Sequence, residues 1–256
     1  MEFRVLNIIV PMAGAGSRFS KAGYRDPKPL ISIHGTPMIQ VVIQNLMPEM
    51  PHRFIFVCQK EHVNTYGLRE KLEKWAPGSA IIELEGITEG AACTVLEAQS
   101  LFDNDEPLMI ANSDQYIDLN INHYLDKLSI HGLDGLIMTM KASDPKWSYA
   151  GIDSDGMVSR VVEKEVISDE ATVGIYNFKR GCDFVAGAKE MIANDERVNG
   201  EFYVAPVYNN LISNGKKIGI FNVGSEGKGM YGLGIPSDLN YFLRQPISLR
   251  TPSSCG

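Results

Sequence analysis

Short, unbroken apolar runs alternate along this chain with longer stretches of helical spacing. Residues 5–10 carry Leu6, Ile8, Ile9 and Val10 almost without interruption, the pattern of a strand buried on both faces as in a parallel sheet. Residues 53–58, 80–84, 107–111 and 136–140 read as further strands. Between them, residues 37–47, 63–75 and 91–101 place apolar side chains at helical intervals. Strands alternating with amphipathic helices predict an α/β fold around a mostly parallel sheet. Beyond Met140 the pattern shifts to shorter strands and hairpin-like turns, among them Asp153-Ser154-Asp155-Gly156. No internal repeat or linker breaks residues 1–245, so one domain is expected there, with residues 246–256 as a loose tail.

Composition narrows the function classes. Hydrophobic residues make up 44% of 256 positions, enough for a sizeable core in one domain. A formal net charge of −7, with no local Lys/Arg cluster, argues against a nucleic-acid partner. No apolar run approaches the roughly 18 residues needed to span a bilayer, and the opening residues lead into a core strand without a cleavable signal. The expectation is a cytoplasmic protein with no membrane partner. Cys58, Cys93, Cys182 and Cys255 are scattered without a C-x-x-C pair, so they read as buried or incidental thiols. The five histidines are equally dispersed and receive no metal role.

The first candidate chemistry follows the first strand. Pro11 to Leu30 reads PMAGAGSRFSKAGYRDPKPL. A loop leaving a parallel strand opens at its carboxyl end, where open α/β sheets bind ligands. Gly14 and Gly16 allow a tight bend that brings backbone N–H groups to an anion, and Arg18 and Lys28 add charge suited to a polyphosphate. Two familiar phosphate loops are excluded. A Walker loop requires a Lys directly after its last glycine, where Ser17 stands. The dinucleotide fingerprint requires a small residue where Phe19 stands, and no acidic residue ends the second strand near Gln59.

The two-part motif Ala13-Gly14-Ala15-Gly16-Ser17-Arg18-Phe19 and Pro27-Lys28-Pro29-Leu30 resembles that of the nucleotidylyltransferases, which activate sugar phosphates and other small phosphates. The resemblance extends in order to about Phe242. It implies a single-domain GT-A-like, Rossmann-like three-layer sandwich. Gly23-Tyr24 between the halves resembles a subset found with capsule and surface-polysaccharide genes, some members cytidylyltransferase-like and others loosely called glycosyltransferases.

Ser113-Asp114 lies just beyond the strand ending at Ala111. A carboxylate there shares the crevice of the glycine loop and is suited to hold Mg²⁺ against nucleotide phosphates. The family places its metal-binding Asp at this position; the plain alternative is a helix or turn cap. Asp118, four residues on, reads as the cap of a helix starting near Leu119 in preference to a group that orients water on the metal. Thr88-Glu89-Gly90-Ala91-Ala92 resembles the segment that holds base and ribose, with Gly90 permitting close approach to a flat base and Ala91 replacing the family's Thr. Gln59 either reads a base edge or faces solvent.

Downstream, Glu163-Lys164 and then Gly174-Ile175-Tyr176-Asn177-Phe178 resemble the family's acceptor-binding patterns. The resemblance implies that Lys164 meets the acceptor's phosphate and Glu163 its hydroxyl or amine groups, although Glu165 stands where a Pro is usual. Glu201, in Gly200-Glu201-Phe202-Tyr203, is a further acceptor candidate. Met230 to Leu239 resembles W-x-D-I-G-T-P-E-D-L, with Gly232 in place of the Asp that serves as second metal ligand; Asp238 reads as a cap of the terminal helix. The expected activity is transfer of a nucleoside monophosphate from an NTP, CTP first with UTP or dTTP open, to a small phosphorylated acceptor, with Mg²⁺ as cofactor. A homo-oligomer is compatible with this reading. The alternatives are a GT-A glycosyltransferase with a nucleotide-sugar donor and a non-catalytic nucleotide-binding regulator, the latter favoured by the loss at Gly232.

Overall fold

The computed structural model describes residues 4–14 and 16–250. In chain order these form β1 (Leu6–Pro11), α1 (Ser17–Lys21), β2 (Ser32–Ile33), β3 (Thr36–Pro37), α2 (Met38–Leu46), β4 (His52–Gln59), α3 (Lys60–Tyr66), α4 (Leu68–Trp75) and β5 (Ala80–Leu84). There follow α5 (Ala91–Leu96), β6 (Leu108–Ala111), β7 (Gln115–Ile117), α6 (Ile121–Ile130), β8 (Gly135–Lys141), β9 (Ser148–Ile152), β10 (Val158–Glu163) and β11 (Glu170–Phe178). The chain then gives α7 (Gly181–Ala193), α8 (Val207–Ser213), β12 (Ile218–Glu226), β13 (Gly229–Gly232) and α9 (Pro236–Leu243).

One large sheet carries the fold in the order β5-β4-β1-β6-β11-β8-β12-β13-β7, with the β9–β10 hairpin attached through β9 to β11. Strands β5, β4, β1, β6, β8, β12 and β13 run one way, and only β11 and β7 oppose them on this path. The sheet is therefore mostly parallel, as the apolar runs predicted. Because successive side chains on a strand point to opposite faces, β1 sends Leu6, Ile8 and Val10 into one core and Ile9 into another. The first core is covered by α2, α4, α6 and α9, the second by α5, α7 and α8. This is the three-layer α/β sandwich expected.

Several boundaries differ from the sequence pattern for local reasons. The helix predicted over 63–75 is two helices, broken at Gly67, which takes the left-handed conformation at φ 58° and donates its N–H to the Val63 carbonyl. The helix predicted over 91–101 ends as α5 at Leu96 and is followed by a 3₁₀ turn, Gln99–Leu101. Asn120, not Asp118, caps α6: its side-chain oxygen accepts the Asn122 N–H at 2.9 Å. Asp118 lies instead 3.9 Å from Arg250. Residues 246–250, read as the start of a tail, form a 3₁₀ turn that buries Ile247 and Ser248, and Ser248 Oγ lies 2.8 Å from His34 Nε2. The remainder of the expected tail, 251–256, lies outside the described residues, as does Cys255. Cys58 is buried, and that burial pushes its thiol up to about 12, as befits an inert core group.

Candidate functional site

Two parallel strands bring the two sequence motifs together. β1 pairs with β6 in register, Ile9 beside Ile110, so the loops leaving Pro11 and Ala111 emerge side by side at the same edge. The glycine loop enters α1 through Gly16, which sits at φ 59° and therefore favours glycine. A Cβ on Gly16 would lie 3.4 Å from Lys28 Cβ, so the loop packs directly on the lysine. Phe19, which fills the place of a third small residue, is buried in the core and meets Tyr24 edge-on at 5.0 Å. Burying such a ring contributes about 1.5–3 kcal/mol and anchors a helix of one turn that has no side-chain cap. Gly14, Ser17 and Arg18 remain exposed; Ala15 lies outside the described residues.

Lys28 enters from a 3₁₀ turn, Lys28–Leu30, held by Pro29 in the core. Its Nζ stands 2.6 Å from Asp114 Oδ2, and both side chains keep about a quarter of their exposure. The Asp114 carbonyl accepts the Leu233 N–H at 2.8 Å, tying the motif to the segment after β13. Gly234 packs beside it: a Cβ there would run into Asp114 Oδ2, so any side chain at 234 would push the carboxylate aside. Ser113 is buried next to Asp114.

Arg18, Asp114 and Gly234 border a cavity of about 820 Å³, large enough for a nucleotide with an acceptor. Arg18, Asp114 and Ala91 line one part of it; Glu163, Lys164 and Tyr203 line another. Glu163 is buried, receives a hydrogen bond from Ser148 Oγ and lies 3.2 Å from Lys164 Nζ. Lys164 adopts φ 58°, and its ammonium sits 5.0 Å above the Tyr203 ring. Burial works against that charge, yet Glu163 and Tyr203 outweigh it and hold Lys164 above the ordinary lysine value. Gly174 shapes the wall between these groups. It bulges out of the β11–β8 ladder at φ 82°, and its carbonyl accepts from Asn112 N–H at 2.9 Å and Gln115 Nε2 at 3.1 Å.

Other sequence candidates have partners different from those expected. Gln59 donates its amide to the Ala13 carbonyl at 2.5 Å, so it braces the glycine loop instead of presenting that donor to a base edge. Gly90 does permit a close approach, but to the Phe202 backbone: a Cβ would lie 2.4 Å from the Phe202 carbonyl oxygen. Phe202 N–H donates to Glu89 and its carbonyl accepts from Ala92, which sews the two segments together. The Glu89 side chain lies 3.0 Å from Arg197. Glu201 is exposed and outside the cavity, its backbone paired with Val198. Two residues on, Tyr203 takes the place at the cavity wall.

Sequence reasoning missed Tyr203 and Gln115, and also Arg25 and His62, which line a smaller cavity of about 160 Å³ against Gly14, Gly16 and Lys28. Arg25 lay inside the motif already singled out; Gln115 and His62 carried no local signal.

Among the described residues no group of three or more His, Cys, Asp or Glu side chains could hold a metal by itself. Magnesium needs fewer, since it takes one or two carboxylates together with substrate phosphates and water. The Lys28 ammonium, 2.6 Å from Asp114, stands where a cation is attracted, so this carboxylate fits such a role.

Comparison with known proteins gives a consistent picture. The sequence model of the nucleotidyl transferase family matches residues 7–203. The crystal structure of the nucleoside-diphosphate-sugar pyrophosphorylase from Vibrio cholerae RC9 superposes with a TM-score of 0.76 at 27% identity, covering 93% of this chain and all of that one. The bifunctional protein GlmU of Methanococcus maripaludis is 26% identical over 255 residues, 95% of this chain and 56% of the relative. The mannose-1-phosphate guanylyltransferase catalytic subunit beta of Danio rerio is 23% identical over 178 residues, 68% of this chain and 49% of the relative. The chain thus spans about half the length of these curated relatives. No helix among the described residues is long and apolar enough to cross a membrane.

Proposed function

The chain belongs to the nucleotidyl transferase family, and we propose that it transfers a nucleoside monophosphate from an NTP to a sugar phosphate or similar small phosphorylated metabolite. An acceptor phosphate oxygen forms the new bond to the α-phosphorus while the α–β bridging bond breaks and pyrophosphate leaves. The observation that carries this reading is that Asp114, paired with Lys28, lines the same cavity as Glu163 and Lys164. A phosphate acceptor is already nucleophilic at neutral pH, so positioning and charge neutralisation suffice and no general base is needed. Lys28 neutralises charge growing on the α-phosphate, and Arg18 meets the departing pyrophosphate. Lys164 holds the acceptor phosphate, and Glu163 accepts from the acceptor's hydroxyl groups. Ser113, Gly14, Gly16 and Ser17 border the nucleotide, with Ala91 against its base or ribose. Asp114 would hold Mg²⁺, which supplies charge neutralisation at the phosphate oxygens.

CTP is our first choice of donor, because Gly16-Ser17-Arg18-Phe19 resembles the cytidylyltransferase form of the loop; UTP and dTTP follow. An activated sugar of this class serves surface or capsular polysaccharide assembly, and the reaction would run in the cytoplasm, where NTPs are made. The test is pyrophosphate release from a panel of NTPs with Mg²⁺ and sugar 1-phosphates. Stabilisation by nucleotide-sugars and nucleoside diphosphates, with no NTP bound or cleaved, would overturn the proposal in favour of a glycosyltransferase.

A further inference from the structure

We infer that Asp238 supplies the second carboxylate of the divalent-cation site, in place of the side chain absent at Gly232. The inference rests on the nucleotidyl transfer proposed above and concerns how this chain, lacking an acid at position 232, completes that site.

Gly232 ends β13, and a Cβ built on it would lie 3.1 Å from Asp238 Oδ2 and 3.6 Å from Asp238 Cβ. The Asp238 carboxylate thus lies directly against the place where a side chain at 232 would begin. Asp238 lies in the first turn of α9, yet no side-chain bond caps that helix. The carboxylate is turned towards β13, with Ser237 Oγ donating to its Oδ1 at 3.2 Å. A cap would have aimed it at the backbone N–H groups of the helix start.

Position and charge agree with this assignment. β13 pairs with β7 so that Gly232 faces Gln115, the neighbour of Asp114, and Leu233 N–H bonds the Asp114 carbonyl. Asp114, Gly232, Gly234 and Asp238 line the same cavity. The other acids nearby are engaged: Glu163 by Ser148 and Lys164, and Glu226 by Lys146 at 3.0 Å. Asp238 has no cationic partner among the described residues. The two glycines divide the work, Gly234 leaving room for Asp114 and Gly232 leaving room for Asp238.

The experiment measures binding of Mn²⁺ alone, by loss of the free ion's electron paramagnetic resonance signal, so that it does not depend on turnover or on knowing the nucleotide. Asp238→Asn keeps the shape and removes the charge; it is expected to weaken Mn²⁺ binding by about tenfold or more. Combining Gly232→Asp with Asp238→Ala, which clears the space beside position 232, returns the carboxylate number to two and is expected to bring affinity back to within about threefold of wild type. Should Asp238→Asn fail to fold, Asp238→Glu, which shifts the carboxylate by one methylene, is expected to weaken binding in the same direction. Affinity unchanged in a folded Asp238 variant, with Asp114→Asn still disrupting binding, overturns the role of Asp238 and leaves the proposed transfer standing. A wild-type protein that binds no Mn²⁺ overturns the cation reading as a whole.

Discussion

Lys28 Nζ and Asp114 Oδ2, 86 residues apart in sequence, stand 2.6 Å from each other where the loops after β1 and β6 meet. Two groups suited to opposite tasks, one to neutralise phosphate and one to hold a cation, thus neutralise each other in the free protein. With about a quarter of each side chain exposed, such a pair is worth on the order of 1 kcal/mol or less. A triphosphate and a divalent cation can therefore separate it at little cost. We expect Lys28→Ala and Asp114→Ala each to lower turnover by roughly 10²-fold or more, as when a charge clamp on a transferring phosphoryl group is removed. Steady-state kinetics at saturating Mg²⁺ checks this; an Asp114→Ala enzyme within a few-fold of wild type removes Asp114 from the machinery.

Arg18 and Lys164 line one cavity from different elements, α1 and the residue after β10. If Arg18 meets the leaving group, Arg18→Ala should depress kcat more than it changes the acceptor's KM. Lys164→Ala should mainly raise that KM. Kinetics with NTP and acceptor varied separately would reveal the opposite split if donor and acceptor ends are exchanged.

Gly90 sets the spacing between the start of α5 and the Phe202 segment. Its φ of 135° and the 2.4 Å approach of a Cβ to the Phe202 carbonyl leave no room for alanine. Gly90→Ala should destabilise the fold by about 2 kcal/mol or more, combining backbone strain with a steric clash. Urea unfolding measures it, and a loss below 1 kcal/mol on that order would mean the segment yields easily.

Glu170 joins three strands, accepting from Thr139 Oγ1 at 2.6 Å and Asn222 Nδ2 at 2.7 Å while pairing with Lys141 at 2.7 Å. Burial works against its charge, but bonds from Lys141, Thr139 and Asn222 win and hold the carboxyl below its ordinary 4.5. A lowered folded value means the stabilisation is fully present above 4.5 and is lost as pH falls through the folded value. Glu170→Gln should therefore cost about 1–3 kcal/mol at pH 7. The difference from wild type should shrink below pH 4.5, as thermal melts across pH would show.

Much of this molecule could be read from its sequence because the signals are local. The apolar content of residues 80–84 predicts a strand, and they form β5 with those bounds. The run Leu6, Ile8, Ile9, Val10 announced a strand covered on both faces, since a strand buried between two layers places apolar residues at successive positions. Gly14, Gly16, Arg18 and Lys28 stood out for a similar reason, because a loop at a strand's carboxyl end must carry its chemistry within a few residues. Backbone breaks were harder to see. Gly67 divides a helical pattern that is otherwise continuous, through a left-handed φ that hydrophobic periodicity does not register.

Partners across the chain were decided only by tertiary structure. Gln59 and Gly90 were conspicuous in sequence, yet the first braces Ala13 and the second makes room for Phe202, since sheet order brought those backbones against them. Gly232 was legible as a missing acid. That Asp238 lies directly against it depends on how α9 packs on β13, a contact between elements that no local pattern encodes. Local propensity and periodicity settle what each segment becomes, whereas a site's partners come from segments far apart in sequence, joined only when the whole sheet is assembled.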